Sequence, residues 1–501
     1  MIQSKVCLSL TGSTIKENLE TIEKYRDWID VVELRADYLN KDERLSLRRF
    51  PELAGVPCIL SIRRSSNGGK FTEGEATRTV LFARAIAFAN QDTTKNYAYI
   101  DLESDFNVPA LLDASLAFGT KIIRTLYCNS DDSLKEIHKQ MSLLRKNEYE
   151  IPKIAFYAQS LSDVTKLFRE VKKSEKKRVI FEVSGPFSQP ERVLSSLANS
   201  FFVYTADRKL QIPEAENYSI DPKQLQQSFN FDDINDKTKI YGFAGKSLSA
   251  RLYAKAQNKH FRDNKINAVC LPIYADKIEE VLEFADELSL SALAISCPFN
   301  SDALQFASIV SSDVGNTERT NTFVRTGENW TGYNTSVKAL LNSLLNLTGK
   351  KSLFGWRVSI IGAGTMARAA AYVVKMLHGK ACIFNRTVSK AKELASLYNF
   401  KWASLSVDSQ LYIEDFSDLI IQTTSVGSAE YYAMIPNGIG DPIPNYIFRG
   451  NEKLFDCVAS NEKTPLVSRA EKAGCSVMSG NKMMEEQIYM QFKLFTGEYD
   501  E

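Results

Sequence analysis

The first 225 residues contain eight short β-rich runs separated by stretches long enough for helices. The runs recur at intervals of roughly 23 to 39 residues, and the intervening stretches carry apolar residues three and four positions apart behind Ser or Asp N-cap candidates. Eight strands that alternate with helices predict a closed (β/α)8 barrel, with an open doubly wound sheet as the alternative. The runs are KVCLSL (5–10), VVELRA (31–36), CILSIR (58–63), YAYIDLE (97–103), KIIRTLYC (121–128), PKIAFYA (152–158), RVIFEV (178–183) and FFVYTA (201–206).

The length of 501 residues exceeds that of one ordinary domain, so two or three domains are expected. Lys plus Arg number 62 and Asp plus Glu number 61, which gives no electrostatic footprint for nucleic acid or an anionic membrane. Small neutral or anionic molecules are the expected ligands. The sequence does not indicate an oligomeric state.

The eight cysteines are scattered singly through apolar runs, without a CxxC pair or a neighbouring His cluster. This usage indicates reduced thiols and no metal site. The sequence shows no signal peptide at its start and no apolar run approaching the length of a membrane span. These features predict a cytoplasmic location.

The chain changes character after the eighth run. Residues 226–238 are polar and aperiodic, which predicts a linker after a barrel domain at 1–225. A new strand, KIYGFAG, then opens a second region of alternating strands and helices. The whole chain is therefore predicted to be an α/β protein.

The segment RVSIIGAGTMARAAAYVV reads as a buried strand, a glycine turn and the opening of a helix. The glycines permit a tight turn that lets backbone amides approach a pyrophosphate at the positive end of the helix. Ala367 fills the third small position of this GxGxxA pattern. The predicted cofactor loop comprises Gly362, Ala363, Gly364, Thr365 and Met366.

The strand that follows this loop ends in Asn385-Arg386-Thr387, with Lys390 one turn later. An acidic residue at this place would accept the ribose hydroxyl of NAD, whereas Arg and Lys suit the 2′-phosphate of NADP. The loop is therefore predicted to bind NADP. The alternative is an empty Rossmann domain with basic surface residues.

Residues 239–501 resemble shikimate dehydrogenase. The resemblance implies a substrate domain at 239–350 and 479–501, an inserted Rossmann NADP domain at 351–478, and a further cofactor contact at Gly480. The matching pieces, in order, are GKSLSARLYAKAQNKHF, ISCPFN, RTNT, GYNTS, GAGTMAR, NRTVSKAKELA, TTSVG, LFDCV and SGNKMMEEQ.

The resemblance also implies the chemistry of the second half. That family reduces the ketone of 3-dehydroshikimate with NADPH, and a Lys assisted by an Asp serves the developing alkoxide. The corresponding positions here are Asn300 in SCPFN and Ser336 in GYNTS. Neither carries a charge, although the Asn300 amide is able to donate a neutral hydrogen bond to the carbonyl.

Substrate contacts of that family also map onto this chain. Two hydroxyl residues that grip the substrate carboxylate fall on Arg251 and Tyr253, and an Arg binds a carboxylate more strongly than a Ser. The polar contacts Asn321, Asn334 and Gln487 are retained. We therefore expect substrate recognition to be altered but not lost.

Residues 1–225 resemble a type I 3-dehydroquinate dehydratase, a barrel enzyme that forms an imine between a Lys and its ketone substrate. The resemblance makes Lys153 in PKIAFYA the imine-forming residue, and its apolar run predicts a lowered amine pKa. The residues expected to bind or orient the substrate are Glu33 and Arg35 in VVELRADYL, Arg63 in SIRRSSNGGKFTEGE and Arg192 in SGPFSQPERVL.

The barrel half departs from that family at positions that move protons. Tyr127 or Cys128, depending on a one-residue gap, stands where the family has its acid–base His, and Asn67 stands for the Glu that partners this His. Asn217 or Tyr218 stands in place of a lid Gln. A positioned acid or base is worth about 10² to 10⁴ in rate, so such losses cripple the reaction without necessarily abolishing it.

These resemblances lead to three functional hypotheses. The first is a bifunctional enzyme that converts 3-dehydroquinate to 3-dehydroshikimate and then to shikimate. The second is a catalytically silent NADP-binding regulator or scaffold, favoured by the substituted proton-transfer positions. The third is an oxidoreductase with an altered substrate, in which Arg251 and Tyr253 reshape the pocket.

Overall fold

A computed structural model describes most of the chain as two compact units, Met1–Leu290 and Ser291–Glu501. The description covers residues 3–87, 95–128, 139, 144, 149–173, 179–207, 219–245, 249–296, 298–300, 302–460 and 462–498. Within it, no helix combines the length and apolar character needed to cross a membrane.

The first unit begins with eight parallel strands that pair in chain order. From β1 to β7, each strand pairs with the next strand in the chain, and β8 pairs with β1. The gap between β7 and β8 is bridged by a parallel contact of Val179 with Ser200. The strands are β1 Lys5–Leu10, β2 Val31–Arg35, β3 Cys58–Ser61, β4 Tyr99–Glu103, β5 Lys121–Cys128, β6 Glu150–Tyr157, β7 Ile180–Ser184 and β8 Phe202–Ala206.

This topology confirms the predicted barrel and excludes the open doubly wound sheet, because the two edge strands of an open sheet do not meet, whereas the bridge of Val179 with Ser200 joins β7 to β8 here. Every predicted run overlaps one observed strand, with ends shifted by at most two residues. The helices described around the barrel are α1 Ile15–Tyr25, α2 Phe50–Ala54, α3 Glu75–Ile86, α4 Pro109–Ala117, α5 Leu161–Lys173, α6 Gln189–Val193 and α7 Pro222–Phe229.

Residues 226–238, predicted as a linker, do not form an exposed tether. The last turns of α7 occupy them up to Phe229, and Phe231 and Ile234 are buried. The Arg262 guanidinium also donates to the Gln227 carbonyl and to Asn230 Oδ1. The prediction weighed the polar composition of this segment, whereas its three apolar side chains decide how it packs.

The first unit continues past the barrel to Leu290. Strands β9 Lys239–Gly245 and β10 Ala268–Tyr274 pair in parallel, and helices α8 Ser249–Asp263 and α9 Ile278–Glu287 accompany them. Helix α9 packs on barrel helix α5 through an edge-on contact of Phe284 with Phe168. Residues 239–290 thus pack with the barrel, and the domain boundaries given above stay a prediction.

The second unit opens with a small mixed sheet. Strand β13 Thr322–Thr326 pairs antiparallel with β11 Ala292–Ile295 and with β14 Asn329–Tyr333, and β12 Ile309–Val310 pairs in parallel with β14. Its helices are α10 Ser312–Thr317 and α11 Thr335–Thr348. The final helix of the chain, α17 Gly480–Thr496, packs against α11.

A six-stranded parallel sheet forms the rest of the second unit, in the order β17-β16-β15-β18-β19-β20. The order reverses at β15, which is the arrangement that creates a ligand crevice at the carboxyl ends of the strands. The strands are β15 Arg357–Ile361, β16 Lys380–Asn385, β17 Lys401–Ser404, β18 Leu419–Gln422, β19 Lys453–Asp456 and β20 Ser476–Ser479. The helices are α12 Thr365–Met376, α13 Val388–Tyr398, α14 Gln410–Glu414, α15 Ala429–Met434 and α16 Pro465–Lys472.

Candidate active sites

The interior of the barrel is apolar in one layer and polar in the next. Alternate side chains of a strand point inward, so residues two positions apart line the interior at successive heights. The apolar layer contains buried residues of one core cluster: Cys7, Val31, Ile59, Tyr99, Ile123, Ile151, Ile180 and Phe202. Two positions nearer the carboxyl ends of the same strands stand Ser9, Glu33, Ser61, Asp101, Thr125, Lys153, Glu182 and Tyr204.

Lys153 lies at the centre of this polar layer, with its side chain fully buried. Its Nζ atom is 2.7 Å from Glu182 Oε2, 3.1 Å from Asp101 Oδ2 and 3.7 Å from Glu33 Oε1. It also donates to the Tyr204 hydroxyl at 3.0 Å. The layer therefore encloses one amine among three carboxylates and a phenol.

The charge state of Lys153 differs from the sequence prediction. Burial alone lowers the pKa of an amine, which was the expectation for an apolar run. Here the carboxylates of Asp101, Glu182 and Glu33 outweigh that effect and raise the pKa of Lys153 well above its ordinary value. The prediction of a lowered pKa is wrong for the unliganded protein because these strands bring the carboxylates to the amine.

Arg63 joins the same cluster from the mouth of the barrel. Its Nη2 atom lies 3.2 and 3.4 Å from the two carboxylate oxygens of Glu182, and its guanidinium lies 5.0 Å from the centre of the Tyr127 ring. Despite desolvation, the Arg63 and Lys153 cations hold the pKa of Glu182 well below its usual range. Glu182 therefore stays ionised between two cations.

Arg35 and Glu33 stand on the same strand but have different partners. Arg35 forms a two-bond ion pair with Asp37, at 2.8 and 3.0 Å, and Asp37 also accepts from the Lys70 amide. Glu33 Oε2 accepts from the Ser9 hydroxyl at 2.9 Å, while its Oε1 faces Lys153. Arg35 is therefore ion-paired with Asp37, while Glu33 belongs to the cluster around Lys153.

The remaining barrel predictions fall on the loops beyond the strands. Arg192 is partly buried on α6 and donates to the Val183 carbonyl at 3.3 Å. Asn67 ends a tight turn, with its side chain 3.4 Å from the Ser66 hydroxyl. Tyr127 faces Arg63, whereas Cys128 follows it on the alternate side of the strand. Asn217 and Tyr218 lie outside the described residues.

In the second unit, the predicted catalytic positions make neutral hydrogen bonds. Asn300 is buried and donates to the Ile295 carbonyl at 3.0 Å. The Ser336 hydroxyl accepts from Asn321 Nδ2 at 2.8 Å. Asn334 caps helix α11, and Asn321 Oδ1 accepts from the Thr335 amide at the same helix end. These contacts hold the start of α11 in place.

Three predicted substrate contacts lie on helices. Arg251 and Tyr253 are partly buried on α8 of the first unit, and the Tyr253 ring stacks 4.3 Å from that of Phe243. Burial raises the pKa of Tyr253 to about 12, so its phenol is protonated near neutrality. Gln487 is partly buried on α17 of the second unit and has no side-chain hydrogen bond to the described residues.

The glycine loop of the second unit has the shape that a nucleotide requires. Gly362 has a φ of +116°, and a Cβ there would stand 2.6 Å from Thr423 Oγ1. Gly364 opens helix α12 without a side-chain cap, and a Cβ at Gly364 would meet no atom within 4 Å. The loop therefore leaves the helix amides open to an anion.

The basic residues after β16 are available to a ligand. Arg386 and Lys390 are exposed, and neither has an ion-pair partner in the described part of the chain. Asn385 Nδ2 donates to the Thr387 carbonyl, which fixes the turn into α13. A nucleotide phosphate fits these two cations. Gly480 has another role in the fold, because a Cβ there would collide with the Cys457 carbonyl.

Comparisons with known proteins agree with this two-part arrangement. Residues 6–236 match the family model of type I 3-dehydroquinase, and residues 346–431 match that of shikimate/quinate 5-dehydrogenase. A bifunctional 3-dehydroquinate dehydratase/shikimate dehydrogenase of Arabidopsis thaliana is 25% identical over 99% of this chain and 82% of its own length. A region similar to type I 3-dehydroquinase is thus followed along the chain by a region similar to shikimate/quinate 5-dehydrogenase, in the order that the Arabidopsis relative's name gives.

Two further relatives span both halves. The shikimate biosynthesis protein AroDE of Chlamydia pneumoniae is 22% identical over 98% of this chain and 95% of its own length. A solved structure of the dehydroquinate dehydratase and shikimate dehydrogenase of S. pombe AroM covers 99% of this chain and 96% of its own length, at 18% identity and a TM-score of 0.42.

The structure adds three residues to the barrel site that the sequence did not predict. Asp101, Glu182 and Tyr204 all contact Lys153, yet none was predicted. A signal existed in the runs YIDLE and VIFEV, each of which holds an acid at an inward position of an apolar strand. The described residues contain no group of His, Cys, Asp or Glu that could hold a metal ion.

Proposed function

We propose that the barrel dehydrates 3-dehydroquinate to 3-dehydroshikimate through an imine at Lys153. The observation that carries this proposal is a fully buried amine, placed among three carboxylates at the carboxyl ends of the barrel strands. Active sites of such barrels lie at these ends. An amine at this position is suited to a carbonyl substrate that enters through the barrel mouth.

The first step that the site must manage is proton removal from Lys153. Its contacts with carboxylates keep it protonated, and only the neutral amine attacks a carbonyl. The Asp101 and Glu182 carboxylates lie within direct proton-transfer distance of Nζ. Arg35, Arg63 and Arg192 are proposed to bind the substrate carboxylate and hydroxyls, because guanidinium groups pair with carboxylates through two parallel hydrogen bonds.

We further propose that the second half reduces the product to shikimate with NADP as cofactor. The open amides of the Gly362–Gly364 loop suit a pyrophosphate, and Arg386 and Lys390 suit the 2′-phosphate. When bound, the reduced cofactor supplies a hydride. Asn300 is proposed to donate its remaining amide hydrogen to the substrate carbonyl.

A coupled assay tests both reactions. Purified protein is mixed with 3-dehydroquinate, and the ultraviolet absorbance of the enone product and the absorbance of NADPH are followed separately. Lys153→Met is expected to abolish enone formation and to leave NADPH oxidation by added 3-dehydroshikimate unchanged. If the wild-type protein forms no enone, the barrel proposal is wrong, and if NADPH stays reduced with 3-dehydroshikimate, the reductase proposal is wrong.

A silent NADP-binding protein is the second candidate for the dehydrogenase half. It is favoured by the neutral hydrogen bonds of Asn300 and Ser336, since neither group supplies a proton to an alkoxide. Tight NADPH binding without oxidation by 3-dehydroshikimate would support it. Oxidation by another ketone in a broad panel would instead support an oxidoreductase with an altered substrate.

A further inference from the structure

The barrel site contains a carboxylate whose part in the steps after imine formation is not yet assigned. Glu182 lies on β7, and its Oε2 atom is 2.7 Å from Lys153 Nζ. Its side chain is 20% exposed, whereas those of Asp101 and Glu33 are 3% and 1% exposed. Of the three carboxylates around the amine, Glu182 is therefore the one that opens toward the barrel mouth.

The other two carboxylates are committed to buried partners. Asp101 accepts from Thr125 through Oδ1 and from Lys153 through Oδ2. Glu33 accepts from Ser9 through Oε2 and lies farther from the amine than Glu182 does. Both side chains are almost fully buried, whereas that of Glu182 keeps a fifth of its surface exposed.

We propose that Glu182 is the proton-transfer residue of the barrel reaction, removing the proton from the carbon next to the imine and returning it to the departing hydroxyl. This inference rests on the proposed dehydratase function. Glu182 would also fill the acid–base role for which the barrel strands provide no His. A carboxylate next to the reacting nitrogen reaches the neighbouring carbon with little movement. Glu182 is in this sense a catalytic residue.

A neighbouring carboxylate takes one proton from Lys153, and the neutral amine adds to the ketone carbon. The carboxylate returns that proton to the resulting hydroxyl, which leaves as water and gives a protonated imine. Glu182 takes the adjacent proton, and the C–H electron pair becomes the C=C bond of an enamine. The enamine electrons expel the β-hydroxyl, which receives the proton from Glu182 and departs as water. Hydrolysis of the imine consumes one water and restores the ketone and the amine, so one water is lost overall.

Arg63 links substrate binding to the basicity of Glu182. In the free protein, Arg63 and Lys153 hold the pKa of Glu182 low, which makes the carboxylate a weak base. The Arg63–Glu182 contacts are long, at 3.2 and 3.4 Å. A substrate carboxylate that pairs with Arg63 removes this cation from Glu182, and the carboxylate then becomes a stronger base.

The test separates imine formation from proton transfer. Wild type, Glu182→Gln and the matched exposed control Glu20→Gln are incubated with 3-dehydroquinate, and imines are trapped with borohydride and identified by mass spectrometry. We expect all three to trap substrate on Lys153, while dehydration by Glu182→Gln falls about 10² to 10⁴-fold. Exchange of the α-proton in deuterated water is expected for wild type and Glu20→Gln only.

Other outcomes overturn the inference. Dehydration by Glu182→Gln at or above the wild-type rate would mean that Glu182 does not contribute to the reaction or slows it. The dehydratase proposal would still stand. Loss of trapping in Glu182→Gln would place the residue in imine formation instead. A wild-type protein that neither traps nor dehydrates would sink the dehydratase proposal and this inference together.

Two further variants protect the test against misfolding. Glu182→Asp keeps the charge and withdraws it by one methylene, so reduced dehydration with normal trapping is expected even if Glu182→Gln fails to fold. Glu182→Ala with added formate is expected to regain part of the lost rate, since a small carboxylate then occupies the vacated place. Absence of rescue, together with a normal rate for Glu182→Asp, would contradict the proton-transfer role.

Discussion

At the scale of single residues, the barrel interior matches buried cations with carboxylates. Lys153 and Arg63 share Glu182, and Arg35 pairs with Asp37. Removing one member of a buried pair leaves an uncompensated charge, at a cost of about 3–5 kcal/mol. Glu to Gln substitutions remove the charge but keep the shape of the side chain, so unlike truncations they add no cavity to this cost.

Glu191 gives a pH-dependent prediction. Burial raises the pKa of Glu191 from its ordinary value of 4.5 to about 8 in the folded protein. Between these values the folded state retains a proton that the unfolded state has lost, so stability falls as the pH rises from about 4.5 to about 8. Glu191→Gln should remove this loss and stabilise the protein at pH 8 more than at pH 5, by a few kcal/mol in order of magnitude.

The measurement is urea unfolding of the wild type and Glu191→Gln at both pH values. The exposed variant Glu20→Gln serves as the control, because its carboxylate is solvated in both states. An equal effect of Glu191→Gln at pH 5 and pH 8 would contradict the prediction.

Arg386 gives a prediction about cofactor choice. Arg386→Ala should weaken NADP binding about 10- to 100-fold, because a charge-assisted contact with the 2′-phosphate is lost, and should leave NAD binding unchanged. Fluorescence titration with both nucleotides measures this difference. Arg357→Ala is the control, because Arg357 begins β15 and the glycine loop follows the other end of that strand. Equal weakening of NAD and NADP binding would mean that Arg386 contacts a chemical group that both nucleotides share.

At the scale of elements, the turn between β15 and α12 assigns different tasks to its two glycines. Gly362 is needed by the fold, because its positive φ and the nearby Thr423 hydroxyl leave no place for a side chain. Gly364 has an ordinary φ of −91° and open space around it. Its lack of a side chain matters to a ligand rather than to the turn.

The paired substitutions test this division. Gly362→Ala should destabilise the protein by about 1–3 kcal/mol through backbone strain and steric contact with Thr423. Gly364→Ala should leave the unfolding midpoint unchanged and weaken NADP binding, because its methyl group stands where the pyrophosphate approaches. Thermal unfolding and nucleotide titration of both variants check the prediction, which fails if Gly364→Ala destabilises as strongly as Gly362→Ala.

At the scale of the whole molecule, residues 239–290 pack with the barrel although the family resemblance assigns them to the dehydrogenase half. Phe284 on α9 contacts Phe168 on α5, and Arg169 forms ion pairs with Glu283 and Glu287. Phe284 is fully buried. The stability of the barrel therefore depends on residues that follow it in the chain.

This dependence predicts an effect across the two halves of the sequence. Phe284→Ala should lower the free energy of unfolding by about 3–5 kcal/mol, because it leaves a cavity against Phe168. Dehydratase activity should consequently be lost at a lower temperature than in the wild type. Heat inactivation followed through enone formation measures this, with Glu279→Ala, exposed on the same helix, as the control. Unchanged heat inactivation of the Phe284→Ala protein would contradict the prediction.

Local patterns in the sequence predict the eight barrel strands, the glycine turn before α12 and the basic residues after β16. Each of these features is local, since periodicity and turn chemistry act over a few neighbouring residues. The contacts of Asp101, Glu182 and Tyr204 with Lys153 follow from the closed barrel, because these side chains come from strands far apart in the chain. The same convergence reversed the expected pKa shift of Lys153, since nearby carboxylates counter the effect of burial and an apolar run does not reveal them.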